Sequence, residues 1–192
     1  MRLINTIEVS PYEYEPGEYP DGLSPIYKDV WLFDITTVSD NALIKILKNK
    51  LNGIDLPDFH EQVIALSGGI ALEDNNIFYI TPSCCGDLGA IHDWERMIEE
   101  QTTSWQKLWI GHPWIYYRKN DSHFEFSDYT EVGPDSLDHL QMLVTVPSSD
   151  LQHELSKIRA EQYAFCERIE KALNDMGIQH AAEIARLMTA NL

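Results

Sequence analysis

Residues 151–176 read LQHELSKIRAEQYAFCERIEKALNDM, and along them Leu151, Leu155, Ile158, Gln162, Phe165, Ile169, Ala172 and Met176 recur at alternating steps of four and three. That period describes an amphipathic helix with one continuous apolar seam. Ser149 or Asp150 supplies a cap for its start, Glu167 and Lys171 stand four residues apart as an ion pair, and Gly177 stops it. A second helix follows over about 179–189, with Ile178, Ala182, Ile184, Ala185, Leu187 and Met188 on its apolar side. The expectation is a helical hairpin over 150–190, packed on the outside of a body formed by residues 1–145, all within a single domain of residues 1–192. The polar Gln162 in the seam favours docking on the same chain over a coiled-coil zipper. A monomer is therefore favoured, with a homodimer as the alternative.

Upstream of the hairpin the pattern changes to short β-rich runs. Residues 2–9, RLINTIEV, suit an opening strand, and the apolar run VWLFDI at 30–35 suits a buried one. Between them SPYEYEPGEYPDGLSP, residues 10–25, holds four prolines and two glycines and reads as an extended loop, whose Tyr12, Tyr14 and Tyr19 dock it to the body or form a contact surface. Ser39 and Asp40 cap a helix over 40–51, carried by Leu43, Ile44, Leu47 and Leu51. Val63–Leu66 and Ile77–Thr81 read as strands, with Gly68–Gly69 and Asp74–Asn76 as turn or bulge material. The glycine pair has no Walker lysine and gives no nucleotide-binding signal. A helix over 90–100 is followed by KLWIGHPWIYYRK (107–119) and SHFEFSDY (122–129), two β-rich segments around a turn, the first interrupted by Pro113. The fold class is α+β: a mainly antiparallel sheet flanked by helices, with the C-terminal helical hairpin.

The 192 residues are 44% hydrophobic and 23% charged, which suits one globular domain with a substantial core. No run of about 18 apolar residues occurs and the first residues lack a secretory pattern, so a soluble cytoplasmic protein is expected. Three cysteines, two of them adjacent, make a poor disulfide framework and read as reduced thiols. The net charge of −17 is concentrated: residues 1–40 contribute −6 and residues 121–154 contribute −8, the latter without a single Lys or Arg. Such charge disfavours nucleic-acid and membrane partners and suits a basic protein partner. Glu13, Glu15, Asp128, Glu131, Asp135 and Asp138 are the candidate partner-binding residues. His123, His139 and His153 are too widely spaced for a ligand pattern, and the acids of 121–154 are expected to face solvent. Asp58, His60 and Glu61 read as a solvated loop.

The densest chemistry lies in ITPSCCGDLGAIHDWERM (80–97) and WQKLWIGHPWIYY (105–117), where Trp94, Trp105, Trp109 and Trp114, four of the five tryptophans, fall within 21 residues. Three chemistries suit these residue types. Cys85 as nucleophile, His112 as general base and Asp87 as orienter would make a thiol enzyme. Cys84, Cys85 and His112, with Asp87 and His92 nearby, offer zinc ligands, although adjacent cysteines do not reproduce a Cys-x2-Cys knuckle. In the structural alternative, which the pattern favours, the cysteines are small buried residues, Asp87 caps a turn, His112 bonds a backbone group and the tryptophans fill a core. No metal or cofactor is expected, and a non-catalytic protein is favoured over an enzyme.

Cys84, Cys85, Gly86, Asp87 and Leu88, followed by Trp94 on a helix and by Trp109, Gly111 and His112, resemble a Cys-Cys-Gly-Asp-Leu and Trp-x-Gly-His element of uncharacterised bacterial proteins; Trp114 follows the element. The resemblance covers about residues 80–128. Proteins of this kind are similar to the small acidic immunity proteins encoded beside bacterial toxins. It implies an acidic protein-binding module that inhibits a basic toxin.

Overall fold

The computed structural model describes residues 1–100, 102–131, 133, 137 and 139–191. Its strands form two four-stranded antiparallel sheets. The first contains β1 (Arg2–Glu8), β2 (Leu32–Asp34), β3 (Gly68–Asp74) and β4 (Ile77–Ile80) in the order β2-β1-β3-β4. The second is a meander of β5 (Gln106–Leu108), β6 (Ile115–Asn120), β7 (His123–Ser127) and β8 (Met142–Pro147). Among the described residues four α-helices accompany them: α1 (Asp40–Lys50), α2 (Ala90–Glu99), α3 (Ser148–Asp175) and α4 (Ala181–Met188). Among the described residues no helix is long and apolar enough to cross a membrane.

The 4-3 seam of α3 is buried along its length, at Leu151, Leu155, Ile158, Gln162, Phe165, Ile169 and Ala172. The opposite face, with Gln152, His153, Lys157 and Glu167, is exposed, so α3 lies on the body with its seam inward. Leu151, Leu155 and Ile158 belong to one apolar core, with Trp94, Ile115, Phe124 and Phe126. Phe165, Ile169, Ala172 and Leu173 belong to another, with Phe33, Leu43, Leu47 and the α4 residues Ile184, Ala185 and Met188. One helix thus serves two cores, and β1 is divided in the same way, Leu3 facing one and Ile7 the other.

At the divide sit two fully buried polar side chains. Asn5 Nδ2 donates to Gln162 Oε1 at 2.9 Å, and Gln162 Nε2 donates to the carbonyls of Leu88, at 3.1 Å, and Thr189. The glutamine that interrupts the apolar period therefore joins α3 to β1, to the segment before α2 and to the end of α4. Arg159 adds a clamp to Glu95 on α2, and Arg168 reaches the carbonyls of Ile35 and Val38 ahead of α1.

Local rules explain the helix ends and tight turns. Ser39 Oγ accepts from Ala42 N at 3.2 Å and caps α1. Asn75 and Asn76 both take positive φ, as a two-residue hairpin between β3 and β4 requires. Ile178 N–H returns to Leu173 O and Gly177 N–H to Asn174 O, which closes α3.

Several expectations are corrected. Val63–Leu66 is not a strand: a 3-10 segment, Leu56–Glu61, buries Phe59 and the chain then runs extended to β3. Gly68 and Gly69 lie within β3, not in a turn. A Cβ on Gly68 would stand 2.1 Å from Thr6 O, so the close approach of β1 demands glycine there. β8 was hidden in a segment read by its acids, although Val144 and Val146 pair with Phe126 and Phe124. Neither Ser149 nor Asp150 caps α3, whose capping position is Pro147, and Lys171 pairs with Asp175 in place of Glu167. Of the acids in 121–154, Glu125 is buried, accepting from Asn120 Nδ2 at 2.9 Å and Arg118 Nε at 2.7 Å.

Two outcomes follow from this packing. Gln162→Leu leaves the Asn5 amide and two backbone carbonyls without a partner, and urea denaturation should show a loss of about 2–4 kcal/mol. The bonds from Asn120 and then Arg118 hold the Glu125 carboxyl below its ordinary value of 4.5. A folded value below the unfolded one contributes stability that is fully present above pH 4.5 and is lost as pH falls through the folded value. The stability gap between the wild type and Glu125→Gln, measured by urea titration at several pH values, should therefore be widest near neutrality and narrow on acidification below 4.5.

Candidate functional site

After β4 the chain turns into Pro82-Ser83-Cys84-Cys85-Gly86-Asp87, and this segment belongs to neither sheet while bonding to both. On one side Gly68 N donates to Gly86 O at 2.9 Å, and Ser67 pairs with Asp87. On the other Ser83 N donates to Ile110 O at 2.7 Å and His112 N to Cys84 O at 2.9 Å. The turn is thus a backbone staple between β3 and the approach to β6. The fit is close: Gly111 has φ +100, and a Cβ there would stand 2.4 Å from Cys84 O.

Cys84 and Cys85 are exposed, not small core residues. Cys85 takes φ +69, and the two Sγ atoms lie 3.4 Å apart. The hydrogen bond shared with Cys85, together with charge on that neighbouring sulfur, pushes the Cys84 thiol up from its ordinary value. Asp87 plays the structural part expected of it, Oδ1 accepting from Gly89 N–H at 2.7 Å at the start of α2. His112 meets Cys84 through the backbone, and its exposed ring stands edge-on to Trp114 with centroids 5.2 Å apart. Among the described residues no group of three or more His, Cys, Asp and Glu side chains is placed to hold a metal ion.

The tryptophans divide. Trp94 is fully buried against Phe126, but Trp109 is 36% exposed and Trp105 and Trp114 are half-buried. Lys107 Nζ lies 4.6 Å from the Trp114 ring centroid and 5.9 Å from that of Trp109, and Arg118 lies over Trp105 at 4.5 Å. Three of the four clustered tryptophans therefore form a cation-covered aromatic strip on the second sheet in place of a core.

The N-terminal acidic loop forms a second feature. Tyr14 and Tyr19 stack edge-on at 5.5 Å and pack on the core shared by Phe33, α1 and α4, and Tyr19 OH donates to Val9 O at 3.2 Å. Burial, then the charge of Glu13, pushes Tyr14 up to about 12. Lys50 pairs with Glu13 at 2.7 Å and Lys45 with Asp21 at 3.1 Å, fixing the loop along α1. Tyr12 points the other way: it is 85% exposed and stands edge-on to Trp31, itself 41% exposed, at 5.2 Å. A cleft of about 600 Å³ opens beside this pair, between Glu13, Glu15 and Glu18 of the loop and Lys45 and Lys48 of α1.

Of the candidate partner-binding residues, Glu13, Glu15, Asp128 and Glu131 are exposed, and Asp135 and Asp138 lie outside the described residues. The two acidic blocks approach one another around the end of β4, where Tyr27 packs on Phe78 at 4.7 Å and Tyr129 OH accepts from Thr81 N at 2.7 Å. His123, His139 and His153 are exposed, as are Asp58, His60 and Glu61. Trp31 escaped the sequence reading because it lies within the apolar run VWLFDI, yet strand pairing begins only at Leu32. No family model, curated protein or solved structure matches this chain.

Proposed function

We propose that this protein is a non-catalytic, acidic protein-binding module of the cytoplasm that inhibits a basic toxin, as immunity proteins do. The observation that carries the reading is the Tyr12–Trp31 pair, two large aromatics exposed by 85% and 41% on a loop that ion pairs hold in place. Glu13, Glu15 and Glu18 line the cleft beside Tyr12. Exposed aromatic anchors inside a polar rim are the common anatomy of a binding hot spot, and a preordered loop loses little freedom when it binds. A toxin that holds phosphate must be cationic in its cleft, so the −17 net charge speeds encounter while the aromatics set the lifetime of the complex.

The test is binding to the product of a toxin gene adjacent to this one, measured by surface plasmon resonance at two salt concentrations. Glu13→Gln with Glu15→Gln should slow association about tenfold at low salt and little at high salt. Tyr12→Ala or Trp31→Ala should accelerate dissociation by about tenfold or more. No binding to the neighbour's product, or a complex indifferent to both aromatic substitutions, overturns the reading.

A further inference from the structure

Cys84 and Cys85 play no part in the proposed binding surface, yet the fold holds both thiols at the surface with their sulfurs in contact at 3.4 Å. Close glycine approaches on both flanks keep the turn in one conformation: a Cβ on Gly86 would stand 2.7 Å from Ile110 O, and one on Gly111 2.4 Å from Cys84 O. We propose that this pair is a reversible two-electron thiol modification site, which low-molecular-weight disulfides oxidise to a Cys84–Cys85 disulfide. It goes beyond the binding reading and does not depend on it.

The chemistry balances as a double exchange. The thiolate of one cysteine attacks a sulfur of the small disulfide, a protein–small-molecule S–S bond forms, and the first small thiolate leaves with the electron pair and takes up a proton. The neighbouring cysteine, as thiolate, then attacks the protein sulfur of that mixed disulfide and expels the second small thiolate. The protein loses two electrons and two protons, and the small disulfide becomes two thiols. With the second sulfur already 3.4 Å away, ring closure outruns any encounter with another molecule.

The same geometry makes the product labile. Disulfides usually span Cα atoms about 4.4–6.8 Å apart, whereas neighbouring residues across a trans peptide are held at about 3.8 Å. The ring is therefore strained and exposed, the kind of disulfide that small thiols reduce readily. Drawing the sulfurs to bonding distance turns the Cys84–Cys85 peptide, whose Cys84 carbonyl accepts from His112 N–H at 2.9 Å. Oxidation loosens the staple on the side of the second sheet, next to Trp109 and Trp114.

The experiment treats Cys166→Ser protein with oxidised glutathione, so that the third, partly buried cysteine does not contribute, and reads intact mass, peptide mapping and hydrogen exchange. The expected result is a loss of two hydrogens located in the peptide carrying Cys84 and Cys85, reversed by dithiothreitol, with the His112 amide exchanging about fivefold faster in the oxidised form. Cys84→Ser and Cys85→Ser in that background should each stop at a glutathionyl adduct. A lasting glutathionyl adduct on protein with both thiols present, a covalent dimer between chains, or no reaction would overturn the proposal. Should either serine variant fail to fold, the mass change of the protein with both thiols decides alone.

Discussion

The side-chain amide of Gln162 is the interaction around which the molecule is arranged. It is fully buried in the middle of α3, and it is answered by Asn5 on β1 and by the carbonyls of Leu88 and Thr189. A polar group in that position is favourable only with every nearby element in place, because an unpartnered amide in an apolar setting costs about 1–3 kcal/mol. The requirement fixes the rotation of α3 and its axial position against β1. Helix turns toward the N-terminus then fill the core that lies between the second sheet and Leu3, Ile70, Leu72 and Ile80 of the first, and those toward the C-terminus fill the core of α1, α4, Ile7 and Phe33. The alternating apolar period alone would tolerate a slip along the seam, and the Asn5–Gln162 contact does not.

A second joint, made of backbone, adjoins this polar one, because the Ser83–Asp87 turn leads directly into Leu88, whose carbonyl accepts from Gln162 Nε2 at 3.1 Å. The Ser83–Asp87 turn hydrogen-bonds to β3 on one side and to residues 110–112 on the other. Glycines stand where the chains come too close for a Cβ. The exposed Cys84–Cys85 pair therefore sits on a rigid joint, which keeps the sulfurs together and couples any change in the turn to the Trp109 and Trp114 surface. The acidic loop is positioned differently, by Tyr14 and Tyr19 packed against the core of α1 and α4 and by lysines of α1. Its charge and its exposed aromatics are thereby offered on a fixed frame.

Much of the fold was legible because local signals and burial agreed. The 4-3 period of α3, the Ser39 cap and the Asn75–Asn76 hairpin each follow from side-chain chemistry within a few residues. What stayed hidden was non-local. Gly68 and Gly69 resemble turn residues until Thr6 is known to press on them from β1. β8 stands in the acidic segment 121–154, whose charge obscured Val144 and Val146. Tryptophan clustering suggested a core, but on β5, β6 and the segment between them alternate residues face outward, and sequence alone did not say which side of the second sheet was covered. At the candidate site the residue types were apparent, whereas the exposure of Cys84 and Cys85 and the use of Asp87 on Gly89 N–H depended on how the turn lies between the sheets.

Native-state hydrogen exchange tests most directly whether the two cores, joined through Gln162, act as one structure. If the buried amide contact and α3 couple them, the slowest-exchanging amides of α1 in one core and of β6 and β7 in the other open with the same free energy and the same denaturant dependence. Were the amides of α1 to exchange through an opening of clearly lower free energy while those of β6 and β7 stayed closed, or the reverse, the two cores would be independent, and the account of α3 as their shared element would be contradicted.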